Sequence, residues 1–385
     1  MSGLAVTAER RVSSVELFFD LVFAFAFTQV TTLWLEHATW GGLGRGLLVV
    51  LVLWWVWASF AWLTNAANAE TDLVLVVMLF ATAALFVAAF AVPDVFDAHR
   101  LTFGIALFVV DVAFVGLFAL VSRETPDQLA AVYRMSRTVL PGAALILAAA
   151  FTPEQFRPLL WAVAFLVGFF GPNIGGIGGW RVQPAHFAER HGLILIIAIG
   201  ESLGAIGFGA RSTRLSAGVI AAAVLGLVIA ASFWLAYFDF ASAEIERAVA
   251  ARRGAQRTAL ARDVYTYFHF PMVVGVLLFA FAMRTTLLHV DSRLPLIPAL
   301  ALCCGSALYL LAFIGLRWRV SQTFGYGRPV AAAALGLLTL LGISAPALVT
   351  LAAVAAVWLG LHAYELIWWH EARARRRALL RAGSG

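Results

Sequence analysis

Twelve apolar stretches, each close to the ~20 residues a helix needs to cross a ~30 Å hydrocarbon layer, dominate this chain. They run over 16–36, 43–63, 72–92, 101–121, 136–151, 156–174, 190–209, 217–238, 264–283, 295–316, 328–345 and 346–366. The fifth is short, and the last two are divided only by Pro346, so one long kinked helix would also satisfy them. With 62% hydrophobic and 12% charged residues, against roughly a quarter charged in soluble proteins, a cytosolic globule is excluded. The sequence predicts an all-α polytopic integral membrane helical bundle of about 12 transmembrane helices, a single transmembrane domain over 1–385. The longest loop, about 239–263, is too short for a soluble domain.

The basic residues are all arginine, 27 of them with no lysine, which excludes Schiff-base chemistry on a lysine. Cytoplasmic loops retain positive charge during insertion. With the N-terminus inside, 20 of the 27 arginines fall in cytoplasmic segments. The bias is strongest at Arg247, Arg252, Arg253, Arg257 and Arg262 and at Arg373, Arg375, Arg376, Arg377 and Arg381, so both termini are expected in the cytoplasm. The net charge of +6 then reads as a topology signal with anionic-lipid contact, and no nucleic-acid partner is expected. Met1 to Arg11 leads into the first apolar stretch without a small-residue cleavage site, so a permanent first helix is expected. Cys303 and Cys304 are neighbours about 100° apart on a helix, which suits neither a disulfide nor a metal site.

An ionised side chain near the bilayer centre costs at least ~2.5 kcal/mol by insertion scales, so the rare ionisable residues inside the spans are the functional candidates. Glu16 and Asp20 are four apart at the start of the first span and share a face that Thr31 continues, about 20° from Asp20. A helix cap or a salt bridge, for which Arg190 is available, would explain the same two acids. Glu189, Arg190 and His191 open the seventh span, and Glu201 follows about 15 Å beyond His191, where it requires a partner from another helix, a cation or a proton. Ser202 adjoins it. Gly200, Gly204 and Gly207 are expected to let another helix approach. Tyr265 and His269 share a face at the start of the ninth span, loosened by Pro271. Asp111 lies in the middle of the fourth, either as an intramembrane acid or paired with an arginine.

The run Gly171 to Gly179 lacks the lysine and the preceding strand of a phosphate loop and reads as a helix break. Tyr237-Phe238-Asp239 with Glu244 closes the eighth span, where it is available to a basic loop. His186, Glu189 and His191 lack the spacing that puts two metal ligands on one helical face, and neither a metal nor a cofactor is expected.

Four phrases carry a resemblance along nearly the whole chain: Glu16-Leu-Phe-Phe-Asp-Leu-Val-Phe23, Glu189-Arg-His-Gly-Leu193 through Gly200-Glu201-Ser202, Tyr237-Phe-Asp239, and Tyr265-Thr-Tyr-Phe-His269. In order and spacing they resemble the bacterial low-temperature-requirement A family. The resemblance implies a polytopic protein of the bacterial cytoplasmic (inner) membrane linked to growth in the cold, and leaves its activity open. Asp111 is outside these phrases.

The openings at Glu16 and Glu189 echo each other and suggest a 6+6 parallel repeat with halves 1–174 and 175–385. These features together predict a secondary transporter or ion- or proton-coupled carrier. Glu16, Asp20, Arg190, His191, Glu201 and His269 are its transport or ligand-binding candidates, and Asp111, Glu189, Ser202, Asp239 and Tyr265 secondary ones. No catalytic residue is assigned. The alternatives are a membrane-embedded enzyme acting on lipid and a non-transporting sensor or scaffold. Expected partners are membrane lipids and a small molecule or ion, with homo-oligomerisation open.

Overall fold

The computed structural model describes residues 11–176, 178–211 and 213–368, and among these not the side chains of 170–175 and 240. The polar leader Met1 to Arg10, Ile177 of the glycine run and the arginines from Arg373 to Arg381 lie outside the described residues. All regular structure among the described residues is helical.

The helices are α1 (Ser14–Glu36), α2 (Trp40–Ala66), α3 (Asp72–Ala91), α4 (Arg100–Ser122), α5 (Pro126–Ala149), α6 (Arg157–Gly175) and α7 (Pro184–Arg211). They continue as α8 (Ala217–Ala236), α9 (Ser242–Ala250), α10 (Gly254–Ala261), α11 (Phe268–Leu288), α12 (Leu296–Ser321), α13 (Gly327–Gly342) and α14 (Ala347–Trp368). Two π-helical turns, Tyr237–Ala241 and Arg262–Tyr267, join α8 to α9 and α10 to α11.

Each apolar stretch falls on a helix, and nine helices among the described residues are long and apolar enough to cross a membrane. α5, α6 and α13 are outside that set; α5 carries Arg134 and Arg137 in its first half, and α13 has 16 residues. The residues around Pro346 separate α13 from α14, so the last two apolar stretches are two helices rather than one kinked helix.

Contacts divide the chain into two units, Met1–Glu201 with Glu246–Phe270, and Ser202–Ile245 with Pro271–Gly385. In the first, α1 packs on α2 and α3, α4 on α3 and α5, and α6 on α5 and α2. The carboxylate of Glu16, at the third position of α1, accepts from the Ser13 N–H at 2.8 Å and the Ser13 hydroxyl at 2.6 Å, filling backbone valences that a helix start leaves open. The turn into α2 is tight: a Cβ on Gly46 would fall 2.1 Å from Trp34 Nε1, and that indole donates to the Leu43 carbonyl. In the second unit α12, α13 and α14 pack in sequence, and α14 packs on α8. There Gly275 and Gly305 bring two backbones together, since a Cβ on Gly275 would meet the Gly305 carbonyl at 2.5 Å.

Two glycines of the α7 stripe correct the expectation made for them. A Cβ on Gly200 or Gly207 would meet nothing within 4 Å, whereas one on Gly209 would crowd Leu287. Helical phase alone identifies the small face but not which part of it a neighbour covers. The glycine run does break the chain: Gly176 and Gly179 have φ of 84° and 93°, and a Cβ on Gly179 would strike the Asp127 carbonyl.

Candidate functional site

Within the first unit, α1 and α7 present matching stripes. Glu16 pairs with His186, whose Nε2 donates at 2.8 Å; Asp20 accepts from Arg190 Nη2 at 2.9 Å; Glu201 accepts from Thr31 at 2.8 Å. Each pair is separated by the same 170 residues. A constant offset with both numbers rising means that the two helices run parallel and in register. The same steps of four and eleven residues recur on both, and eleven residues complete three turns in ~16 Å.

The lower part of this seam is a closed ionic network. Glu16, Asp20, His186, Arg190 and His191 are all 0–1% exposed. Arg190 reaches Glu16 at 3.6 Å as well as Asp20, and its guanidinium lies over the Trp57 ring at 5.7 Å. Trp57 Nε1 donates to the same Asp20 oxygen at 2.8 Å. His186 is oriented from its other side by Asn65, whose Nδ2 is 3.4 Å from the ring Nδ1 and also donates to the Gln183 carbonyl, while its Oδ1 accepts from the Gln183 N–H. Several kcal/mol of desolvation per buried ion is thereby offset by paired charge and hydrogen bonds. The offset is incomplete: Asp20 Oδ2, Arg190 Nε and Arg190 Nη1 have no hydrogen-bond partner among the described residues.

His191 continues the site through an aromatic cage. Its ring centroid is 4.8 Å from Trp57, 4.7 Å from Tyr265, 5.2 Å from His269 and 5.5 Å from Phe187. A carbonyl can only accept, so the 2.8 Å contact of Nδ1 with the Phe187 carbonyl assigns the proton to Nδ1. In the neutral ring Nε2 then carries the lone pair, and it is buried with no hydrogen-bond partner among the described residues. Asp20 Oδ2 and His191 Nε2 are two acceptors able to take a proton.

The π-helical turn Arg262–Tyr267 supplies the facing wall. Pro271 has no N–H, and the widened turn shifts the backbone register, so carbonyls here are free to take side-chain donors. Val264 O accepts from His269 Nδ1 at 2.7 Å, and Thr266 O accepts from Trp54 Nε1 at 2.9 Å. The expected loosening by Pro271 thus takes a defined form.

Glu201, 8% exposed, lies ~16 Å further along the seam. Thr28 donates to one of its oxygens at 2.5 Å and Thr31 to the other at 2.8 Å. The partner it requires comes from α1.

The structure thus brings together Glu16, Asp20, Arg190, His191, Tyr265 and His269, with Glu201 on the same seam. Glu189 faces outward and accepts from the Val12 N–H at 3.0 Å. Asp111 is 8% exposed, lines a separate cavity, and has neither hydrogen bond nor ion pair among the described residues, so no arginine among them pairs with it. Ser202 and Asp239 belong to the second unit, Ser202 with a buried, unbonded hydroxyl and Asp239 in the π-helical turn Tyr237–Ala241.

Sequence reasoning missed Trp57, Asn65, Gln183 and Thr28, and gave His186 no role. For His186 and Thr28 a signal existed, since each lies one helical turn from a chosen residue on the same face. Among the described residues no group of three or more His, Cys, Asp or Glu is placed to hold a metal ion, and both cysteines are free.

Residues 11–363 match the family described as bacterial low temperature requirement A protein (LtrA). An uncharacterized protein of Rhizobium meliloti (strain 1021) is 26% identical over 294 residues, covering 74% of this chain and 71% of that protein. No solved structure matches. The chain belongs to the bacterial low temperature requirement A family.

Proposed function

We propose that this member of the low temperature requirement A family is a secondary transporter of the bacterial inner membrane, coupling proton movement to a small solute. The multi-pass architecture of many apolar helices is the setting. About twelve spans, both termini in the cytoplasm and a 6+6 arrangement with halves 1–174 and 175–385 belong to the same proposal. The observation that carries it is the seam of α1 and α7. It sets a cluster of ionisable groups, Glu16, Asp20, Arg190 and His191, with Glu201 about 16 Å further along the same seam, and Asp20 Oδ2 and His191 Nε2 meet no hydrogen-bond partner among the described residues. Ionisable residues arrayed this way inside membrane helices are the material of proton relays.

In this reading Glu201 is the proton-carrying carboxylate, and the Thr28 and Thr31 hydroxyls keep it bonded in either protonation state, as donors to the carboxylate and acceptors from the acid. Reconstituted protein in proteoliposomes under a pH gradient is expected to conduct protons, and Glu201→Gln to reduce that flux at least tenfold while remaining inserted and monodisperse. Unchanged, pH-independent flux in the variant overturns the assignment.

The close packing around Asp20 and His269, both 0% exposed, favours a second reading, a sensor or scaffold without turnover. It predicts ligand-dependent stabilisation with neither flux nor a chemically altered product. The lipid-enzyme alternative has no comparable support.

A further inference from the structure

Away from the α1 and α7 seam, the first unit contains two adjoining pockets between α2, α5 and α6, which share Trp55, Thr138, Val139 and Gly168 as lining and are taken together as one elongated chamber. Along α5 the wall runs from Arg134 through Thr138 and Gly142 to Ile146, twelve residues or ~18 Å. Gly168 lies close against Trp55, where a Cβ would fall 3.3 Å from the indole Nε1.

The two ends differ in chemistry. At one are the guanidinium groups of Arg134 and Arg262 and the hydroxyls of Ser59, Thr258 and Thr266. Arg262 is paired with Asp263 at 2.7 Å, but Arg134 has no acid partner among the described residues. Its Nη2 donates to the Gly178 carbonyl, while its Nε is buried and meets no acceptor among the described residues, the kind of unmade hydrogen bond that costs most when the donor is charged. Between the ends stand Trp55, Trp62, Met135 and Tyr267, and the far end is walled by Leu51, Val52, Leu107 and Ile146 with the single acid Asp111.

A cationic mouth with an unfilled donor, an aromatic throat and an apolar end of this length match one class of occupant. We propose that the chamber binds an anionic amphiphile, its phosphate or carboxylate head on Arg134 and its single extended apolar chain along Trp55 toward Ile146. The head completes the Arg134 Nε hydrogen bond as a charge-assisted one. The chain buries apolar surface that would otherwise line water or void. A free monoacyl anion and one chain of an anionic bilayer lipid share this chemistry.

The test uses the full chain in an uncharged detergent and follows tryptophan quenching by 9,10-dibromostearate. Saturable quenching is expected, carried in part by Trp55, so that Trp55→Phe lowers its amplitude. The methyl ester should bind at least tenfold more weakly. Arg134→Gln should weaken the acid at least tenfold, and Thr138→Phe, which fills the junction of the two cavities, should abolish binding. Arg262→Gln provides a second probe of the head site if Arg134→Gln does not fold. Brominated phosphatidylglycerol separates the two sources: quenching by it at comparable concentration assigns a bilayer lipid, and its failure assigns a free monoacyl anion. Equal affinity for acid and ester, or full competition by millimolar inorganic phosphate, overturns the proposal. So does a tenfold loss on Asp111→Asn, which would place a polar group where the chain should end.

Discussion

Arg190 donates to Asp20 at 2.9 Å with both side chains sealed from solvent, and the 170 residues that separate them also separate Glu16 from His186 and Thr31 from Glu201. Two parallel helices therefore meet through one repeated polar interval. In the lower part α1 contributes acid and α7 base; in the upper part α7 contributes the acid and α1 only hydroxyls. The upper carboxylate is met from α1 by the Thr28 and Thr31 hydroxyls.

Removing one member of the lower network exposes the cost of the others. Asp20→Asn leaves Arg190 with Glu16 at 3.6 Å as its remaining counter-ion and should destabilise the protein by about 3–5 kcal/mol. Thermal unfolding in detergent measures this, and in the double variant Asp20→Asn with Arg190→Gln the losses should be less than additive. Strict additivity would mean that the two do not interact energetically.

The indole N–H of Trp57 is the second donor to Asp20. Trp57→Phe keeps most of the ring that packs on His191 and removes that bond, so a loss of about 1.5–3 kcal/mol is expected, as for other hydrogen bonds to charged groups. A loss below the resolution of the melting curve would argue that a water replaces the indole.

Asp111 should behave in the opposite way. It has no partner to strand, so Asp111→Asn is expected to leave the melting temperature unchanged or raise it, in contrast to Asp20→Asn. A marked fall would mean that the carboxyl holds a partner when the protein is in the membrane.

The contact of Gly46 with Trp34 leaves no space for a side chain. Gly46→Val should disrupt the α1 and α2 turn and cost more than about 2 kcal/mol, with the loss partly recovered by Trp34→Ala. Proteolytic sensitivity of the segment joining the two helices reports the same disruption independently.

Helix positions were legible because a backbone crossing lipid must satisfy its own hydrogen bonds, so apolar length specifies helix. The polar candidates were legible for a related reason: in a chain this apolar, a charge inside a span is conspicuous. Glu16, Asp20, Arg190, His191 and Glu201 stand out in any reading, and helical phase already placed Thr31 with Asp20. Helical phase says nothing of the neighbour. That Arg190 meets Asp20, that Glu201 is held by Thr28 and Thr31, and that Trp57 and Asn65 complete the network depend on how α1, α2 and α7 pack.

Tertiary structure also decided what local pattern could not. Gly200 and Gly207 are open while Gly209 is crowded, because packing decides which part of a small-residue face a neighbour covers. Asp111 faces a cavity and Asp20 an arginine, although both are acids in apolar helices. Sequence by itself determined which segments are helices and which residues are costly to bury, since both follow from the free energy of single groups in an apolar medium. Which costs are offset by a partner, and which are left open at Arg134, His191 and Asp111, is a property of pairs, and pairs exist only once the helices have packed.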